Sequence, residues 1–345
     1  MDGVYAVTVT YGNRWCFLEK VINAALREGV DRVLVIDNNS EAESRENLMR
    51  AEQSKPERIC VEHLDRNYGS AGGFRKGLEM AFHDPACVFI WLLDDDNEPS
   101  PGSLKVLRDA WEKHCKKEAA DSFALSAFRE NIFSLNYNNS AQSSKTGIGR
   151  KNSFLFFDIT EFPAKIIRYL RKLSSGTPLS RTSNIKSGNL KRSDRFLSTE
   201  LKVAPYGGLF FNKSLLSRVG YPKNELFTYM DDFEWTYRVT ENNAKIYLMH
   251  ESIIRDLDVS WNIKKSSIFH AMRDGPDLRV YYTVRNRVYF ERSALKSGTA
   301  IYWINGVIFL LILRIMVSRR RYSLVKKAVK DGINGKLGMI APINN

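Results

Sequence analysis

Residues 88–99 read VFIWLLDDDNEP, and this stretch decides the fold. An uninterrupted apolar run followed at once by three carboxylates suits a strand buried on both faces, as in a parallel sheet with helices above and below. The chain upstream keeps the same rhythm. VYAVTVTY (4–11), VDRVLVID (30–37) and ICVEHL (59–64) have strand character, while FLEKVINAAL (17–26) and FRKGLEMAF (74–82) carry apolar residues at helical spacing. Alternation of this kind predicts an α/β fold, an open, mostly parallel, Rossmann-like sheet with flanking helices. In such sheets ligands collect outside the carboxyl ends of the strands. Those ends carry Asp37-Asn38-Asn39, Arg66-Asn67 and Asp94-Asp95-Asp96.

Adjacent carboxylates at the end of an apolar strand repel one another and are costly to desolvate. A divalent cation offsets that cost, and hard oxygen ligands suit Mg²⁺ or Mn²⁺. Asp94 and Asp96 point the same way if the chain stays extended. The competing reading is an acidic turn in which Asn97-Glu98-Pro99-Ser100 caps the next helix. A second segment, RNYGSAGGFRKG (66–77), places glycines at 69, 72, 73 and 77 where a loop enters a helix. Such glycines let backbone approach a ligand; equally, they permit a tight turn and close helix packing. A third, FTYMDDFEW (227–235), surrounds Asp231, Asp232 and Glu234 with aromatics. A carboxylate there offers a general base, and Tyr229, Phe233 and Trp235 offer faces for sugar C–H groups. The alternative is an acidic first turn favoured by the helix dipole.

At 345 residues the chain can bury a sizeable core. Its net charge of +13 is concentrated. Residues 141–200 hold 12 Lys or Arg against 4 acids, and residues 301–345 hold 8 against 1. Such segments point to an anionic surface, and no nucleic-acid-binding motif accompanies them. Within the first, EFPAKIIRYLRKL (161–173) is amphipathic, suited to a membrane surface or to its own domain. Within the second, AIYWINGVIFLLILRIMV (300–317) is short for a spanning helix and contains Arg314. A helix lying on the membrane, with cations at anionic headgroups, fits better than a crossing one; a buried core helix is the alternative. The cysteines (16, 60, 87 and 115) show no metal or redox spacing and are expected reduced. MDGVYAVTVTYG enters a strand without an apolar signal core, so work in the cytoplasm, peripheral on the inner face of the plasma membrane, is expected.

The ordered set DNNS (37–40), RNYGSAGGFRKG, WLLDDDNEP (91–99), PYGGLFF (205–211), MDDFEW (230–235) and YYTVRNRVYF (281–290) resembles family 2 of the inverting glycosyltransferases. Its nearest likeness is to bacterial galactofuranosyltransferases and rhamnosyltransferases that build cell-surface glycans. The resemblance covers roughly residues 4–295 and implies a GT-A fold followed by a C-terminal helical region. It divides the chain into a nucleotide-sugar half (1–136), a basic insertion (137–200), an acceptor-binding and catalytic half (201–295) and membrane-associated helices (296–345).

The resemblance also implies roles. Asp37, Asn39, Asn67, Gly72, Gly73, Asp94 and Asp95 line the donor, with Asp37 receiving the nucleobase. Asp94 and Asp96 bridge Mn²⁺ or Mg²⁺ to the diphosphate. Asp232 deprotonates the acceptor hydroxyl, while Asp231, Glu234, Gly207 and Gly208 bind the acceptor. The galactofuranosyltransferases complete the metal site with a histidine about two dozen residues past the base. Here that spacing lands on Asp256, with His250 as the alternative. Arg285 and Asn286 fall near the site, and an arginine there either contacts a phosphate or braces its helix. The implied substrates are a nucleotide sugar, with UDP-galactofuranose favoured over dTDP-rhamnose, and a glycan or lipid-linked glycan acceptor. Two other classes compete. A nucleotidyltransferase needs a triphosphate-binding basic loop that the N-terminal region lacks. A non-catalytic membrane or nucleic-acid module leaves the acidic motifs unexplained.

Overall fold

The computed structural model describes residues 2–137, 148, 151–161, 199–258 and 268–340. Residues 162–173 of the amphipathic segment and most of the basic insertion lie outside them. The chain opens with β1 (Val4–Gly12), α1 (Trp15–Glu28), β2 (Arg32–Ser40), α2 (Ala42–Ser54), β3 (Ile59–His63), α3 (Gly69–His83) and β4 (Phe89–Asp94). Then come β5 (Asn97–Pro99), α4 (Ser103–His114), β6 (Phe123–Arg129) and α5 (Glu130–Tyr137). After the insertion follow β7 (Thr199–Leu201), β8 (Leu209–Asn212), α6 (Ser214–Val219), α7 (Asp231–Glu241) and β9 (Lys245–Asp256). Four helices close the described chain: α8 (Ile268–Asp274), α9 (Asp277–Ser293), α10 (Ala300–Met316) and α11 (Arg319–Ile333).

One sheet runs β3-β2-β1-β4-β8-β6-β9-β5, with β7 paired to β9. The block β3-β2-β1-β4 is parallel, as the alternating pattern predicts. Beyond β4 the sheet is mixed, because β8 inserts antiparallel between β4 and β6. The first 129 residues and those from 199 to 256 therefore share one sheet.

Period-two alternation sorts the strand residues into two cores. Tyr5, Val7 and Val9 of β1 and Ile90 and Leu92 of β4 pack with Phe74, Leu78 and Trp235. Val4, Ala6, Trp91 and Leu93 face the other way, against Leu18, Ile22, Leu104 and Trp111. The run FIWLL is apolar throughout because both of its faces are covered. A third core joins Phe154 and Phe157 to α8, α9, α10 and α11 through Met272, Tyr282, Phe309, Leu313 and Val325.

The glycines of α3 set how closely that helix lies on the sheet. A Cβ at Gly73 or Gly77 would stand 2.4 Å from a methyl of Val9 or Val7 respectively, inside van der Waals contact. Gly77→Val is therefore expected to lower unfolding free energy by about 2 kcal/mol through overpacking. Urea unfolding checks this, and pairing the change with Val7→Ala should recover part of the loss.

Candidate active site

A cleft of about 870 Å³ opens at the carboxyl ends of the parallel strands. Seven aspartates border it (94, 95, 96, 231, 232, 256 and 258), against the guanidinium groups of Arg14, Arg129 and Arg279. The balance favours a cationic guest or a cation-carrying anion.

Asp95 and Asp96 form a tight turn between β4 and β5 rather than continuing the strand, and the three carboxylates take different sets of partners. Asp95 turns inward, 5% exposed, and accepts from Thr10 Oγ at 3.0 Å and Arg14 Nε at 2.8 Å. Arg14 also pairs with Asp96 at 3.3 Å and Asp258 at 3.1 Å. Asp94 accepts from Arg129 at 3.1 Å. Burial, reinforced by Asp94 and Asp95, pushes Asp96 up to about 7. Asp94 is also raised, by burial and by Asp256, against the opposing pull of Arg129.

Asp256, expected as the third metal ligand, borders the cleft and is paired with Arg129. Its Oδ1 accepts from Arg129 Nε and Nη2 at 2.9 and 2.5 Å and from Asn97 at 3.1 Å, and its Oδ2 from Asn131 at 3.1 Å. It serves as counter-ion to Arg129. The alternative, His250, bonds Thr199 at 3.2 Å, packs against Phe128 and does not border the cleft. Among the described residues no group of three His, Cys, Asp or Glu is arranged to hold a metal ion. Asp94 and Asp96 do fit one: both are hard oxygen donors bordering the cleft, and each is raised by burial, a desolvation cost that a cation would offset.

On the neighbouring strand ends, Asn38 and Asn67 reach the cleft. Asn38 donates to Asn67 Oδ1 at 3.1 Å and to the Gly69 carbonyl at 2.9 Å, fixing the loop that enters α3. Asp37 and Asn39, expected at the donor, are not among the residues that border the cleft. Asp37 is fully buried and accepts from the Ser40 amide at 2.7 Å and Arg45 at 3.1 Å, with His63 at 2.6 Å. Those partners hold its carboxyl below the usual range against the opposing effect of burial. Asn39 bonds Arg45. Gly72 and Gly73 are packing positions, and Gly69 and Ser70 border the cleft in their place.

The opposite wall comes from residues 227–233. Phe227, Tyr229 and Met230 all have positive φ, which non-glycine residues adopt at a cost. Asn286 holds this loop by donating to the carbonyls of Leu226, Thr228 and Tyr229, each at 2.8 Å. Arg285 adds a bond to the Leu226 carbonyl at 3.0 Å. Both side chains are fully buried, so their role is to shape the backbone. Gly69 abuts the same loop: its φ is +72°, and a Cβ there would lie 1.9 Å from the Phe227 carbonyl oxygen.

The loop delivers Asp231 and Asp232 at the start of α7. Asp231 is 2% exposed and accepts from Ser70 at 2.9 Å. Burial pushes it up to about 7, and burial with the charge of Asp231 pushes Asp232 well up too. Asp94 contributes to both shifts, so the two acidic groups share one electrostatic environment. Glu234, expected at the acceptor, turns away, 3% exposed, into ion pairs with Lys223 at 2.8 Å and Arg238 at 3.1 Å. Trp235 belongs to the core and donates to the Gly220 carbonyl. Gly207 lies against the carboxylate cluster, where a Cβ would meet Asn97, Arg129 and Asp94 within 2.8 Å. Gly208, with φ +97°, packs on Ala127.

Arg14 and Arg129 are the site residues that motif reading misses. Each follows a strand, in TYGNRW after β1 and in AFRE at the end of β6, where guanidinium groups facing the aspartates are the available signal.

Residues 5–172, just under half of the chain, match the family model described as Glycosyl transferase family 2. No curated protein matches the chain by sequence. Among solved structures, GalNAc-T7 with UDP, GalNAc and Mn²⁺ aligns at 11% identity over 91% of this chain and 58% of its own, with a TM-score of 0.51. The S. aureus TarS 1–349 structure aligns at 15% identity over 97% and 92%, with a TM-score of 0.44. The mannosyltransferase PcManGT from Pyrobaculum calidifontis, with GDP-Man and Mn²⁺, aligns at 12% over 97% and 88%, with a TM-score of 0.48. The fold is GT-A, and the family match supports a family 2 glycosyltransferase.

Asn286→Leu removes the one amide whose two N–H groups serve three carbonyls of the strained loop. It is expected to cost about 1–3 kcal/mol, the range for leaving a buried polar group unpaired. Hydrogen exchange should quicken at the amides of 226–230 while those of β1 and β4 stay protected.

Proposed function

We propose that this chain transfers a sugar from a nucleotide diphosphate donor to a glycan or lipid-linked acceptor, with inversion at the transferred carbon. The observation that carries the reading is the pairing, across one cleft, of Asp94 and Asp96 with Asp231 and Asp232. Asn38, Asn67 and Gly69 supply the nucleotide side. Tyr229, Met230 and Phe233 supply the acceptor side, where rings can cover sugar C–H faces.

Asp94 and Asp96 would hold Mn²⁺ or Mg²⁺, which supplies Lewis-acid neutralisation of the departing diphosphate. The GalNAc-T7 structure holds the same combination of nucleoside diphosphate and Mn²⁺. Arg14 and Arg129 keep the surrounding carboxylates in place and cancel part of their charge. Asp232 takes the proton from the acceptor hydroxyl as that oxygen attacks the sugar carbon from the face opposite the leaving group. Asp231, fixed by Ser70, presents the second carboxylate to the acceptor. A base with a raised pKa is matched to a weakly acidic alcohol more closely than an ordinary aspartate is. Among donors, UDP-galactofuranose is preferred over dTDP-rhamnose on the likeness of MDDFE and YYTVRNRVYF to galactofuranosyltransferases.

Asp232→Asn is expected to abolish transfer while donor binding, read by UDP-sugar calorimetry in Mn²⁺, stays within about threefold. Normal turnover by this variant would remove Asp232 as the base. Asp94→Ala and Asp96→Ala should instead weaken donor binding itself, in a panel of UDP- and dTDP-sugars.

The base acts as a carboxylate, so lowering pH through its raised pKa removes activity. The acidic limb of kcat/KM is therefore expected to break well above the ordinary aspartate range, because burial and the charge of Asp231 raise Asp232. A pH–rate profile with a break below 5 would contradict the buried environment of the pair.

A further inference from the structure

The helix α10 is apolar on both of its faces. Tyr302, Phe309 and Leu313 are buried in the C-terminal core. The opposite side presents Ile301, Ile304, Val307, Leu311 and Ile315, with Leu311 60% and Ile315 88% exposed. Surface helices ordinarily place polar residues there, and a continuous exposed apolar stripe marks a contact surface. The stripe recurs every three or four residues and runs about 21 Å along the helix.

Exposed positive charge accompanies it on α10 and on the helix that follows. Arg314 is exposed at one edge of the stripe, and Arg319, Lys326 and Lys330 are exposed on α11. At the other end Trp303 is 40% exposed, with the guanidinium of Arg292 over its ring at 5.2 Å. A ring at one end and cations at the other are the anchors of a helix lying at a lipid–water boundary. α10 has 17 residues, about 26 Å, and no described helix is long and apolar enough to cross a membrane.

We propose that the outward face of α10, with the cations of α10 and α11, seats this protein on an anionic lipid surface. Charge complementarity selects this occupant: a second copy would bring like charges together, whereas acidic headgroups neutralise them. The seat lies close to the cleft. The core under α10 also contains Met272, Val280, Tyr282 and Tyr229, all of which line the cleft. A lipid-linked acceptor would therefore enter beside its own membrane. That consequence rests on the proposed sugar transfer; the lipid binding itself does not.

The test is co-sedimentation of the full chain with phosphatidylcholine vesicles, with and without phosphatidylglycerol, in the absence of donor. Binding is expected to the anionic vesicles and to weaken as salt rises. Ile304→Ser/Leu311→Ser/Ile315→Ser should weaken it about tenfold or more at unchanged melting temperature. Arg314→Glu/Arg319→Glu should remove the anionic preference. The proposal is overturned if the wild-type chain stays in the supernatant, if neutral vesicles bind it equally, or if the triple-serine variant sediments like wild type. A dimer by light scattering that the serines dissociate, without vesicle binding, would assign the face to a second copy and overturn it as well. No turnover is measured, so failure here leaves the sugar-transfer reading intact, and failure of Asp232→Asn to abolish transfer leaves this one intact.

Discussion

Five carboxylates (Asp94, Asp95, Asp96, Asp256 and Asp258) crowd the carboxyl edge of the sheet, and two arginines hold them there. Arg129 bridges Asp94 of β4 to Asp256 of β9, while Arg14 joins β1 to the turn after β4 through Asp95 and Asp96. Burying a guanidinium or a carboxylate alone is costly, but the pairs offset much of that cost, and hydrogen bonds from Thr10, Asn97 and Asn131 satisfy the remaining lone pairs. The two cations leave the cluster negative. That residue of charge suits a cation rather than a bare anion.

The second wall depends on a different economy. Three non-glycine residues with positive φ are tolerated between Phe227 and Met230 because one amide group of Asn286 satisfies three of the loop's carbonyls. Strain in the loop, a buried amide on α9 and the missing side chain at Gly69 form one arrangement whose product is the placement of Asp231 and Asp232. The loop that enters α3 and the start of α7 also touch directly, through Ser70 and Asp231.

Much of this was legible in the chain. The parallel block followed from apolar runs alternating with helical spacing, and the acidic motifs at 94–96 and 231–232 do converge on one cleft. Side-chain direction is what a motif does not carry. Asp37, Asn39, Glu234 and Trp235 sit within the right segments, yet their neighbours (Arg45, Lys223, Arg238 and the core) claim them. The turn at Asp95-Asp96 breaks the extended geometry that would align Asp94 with Asp96. Arg129 was invisible because its partners lie 35 and 127 residues away in sequence. Glycines reveal a place where something comes close, but not whether that something is a ligand or, as at Gly73, a valine.

The placement of β8 has a consequence for how the molecule is made. β4 and β6 are separated in the sheet by a strand that is synthesised only after the long basic insertion. A ribosome that has emitted residues 5–172, the span of the family match, has produced two strands with no partner between them. Their open edges must wait for β8 and then for β9, and closing so long a chain segment costs entropy before any pairing rewards it. The nascent protein is thus most vulnerable to edge-to-edge association midway through translation.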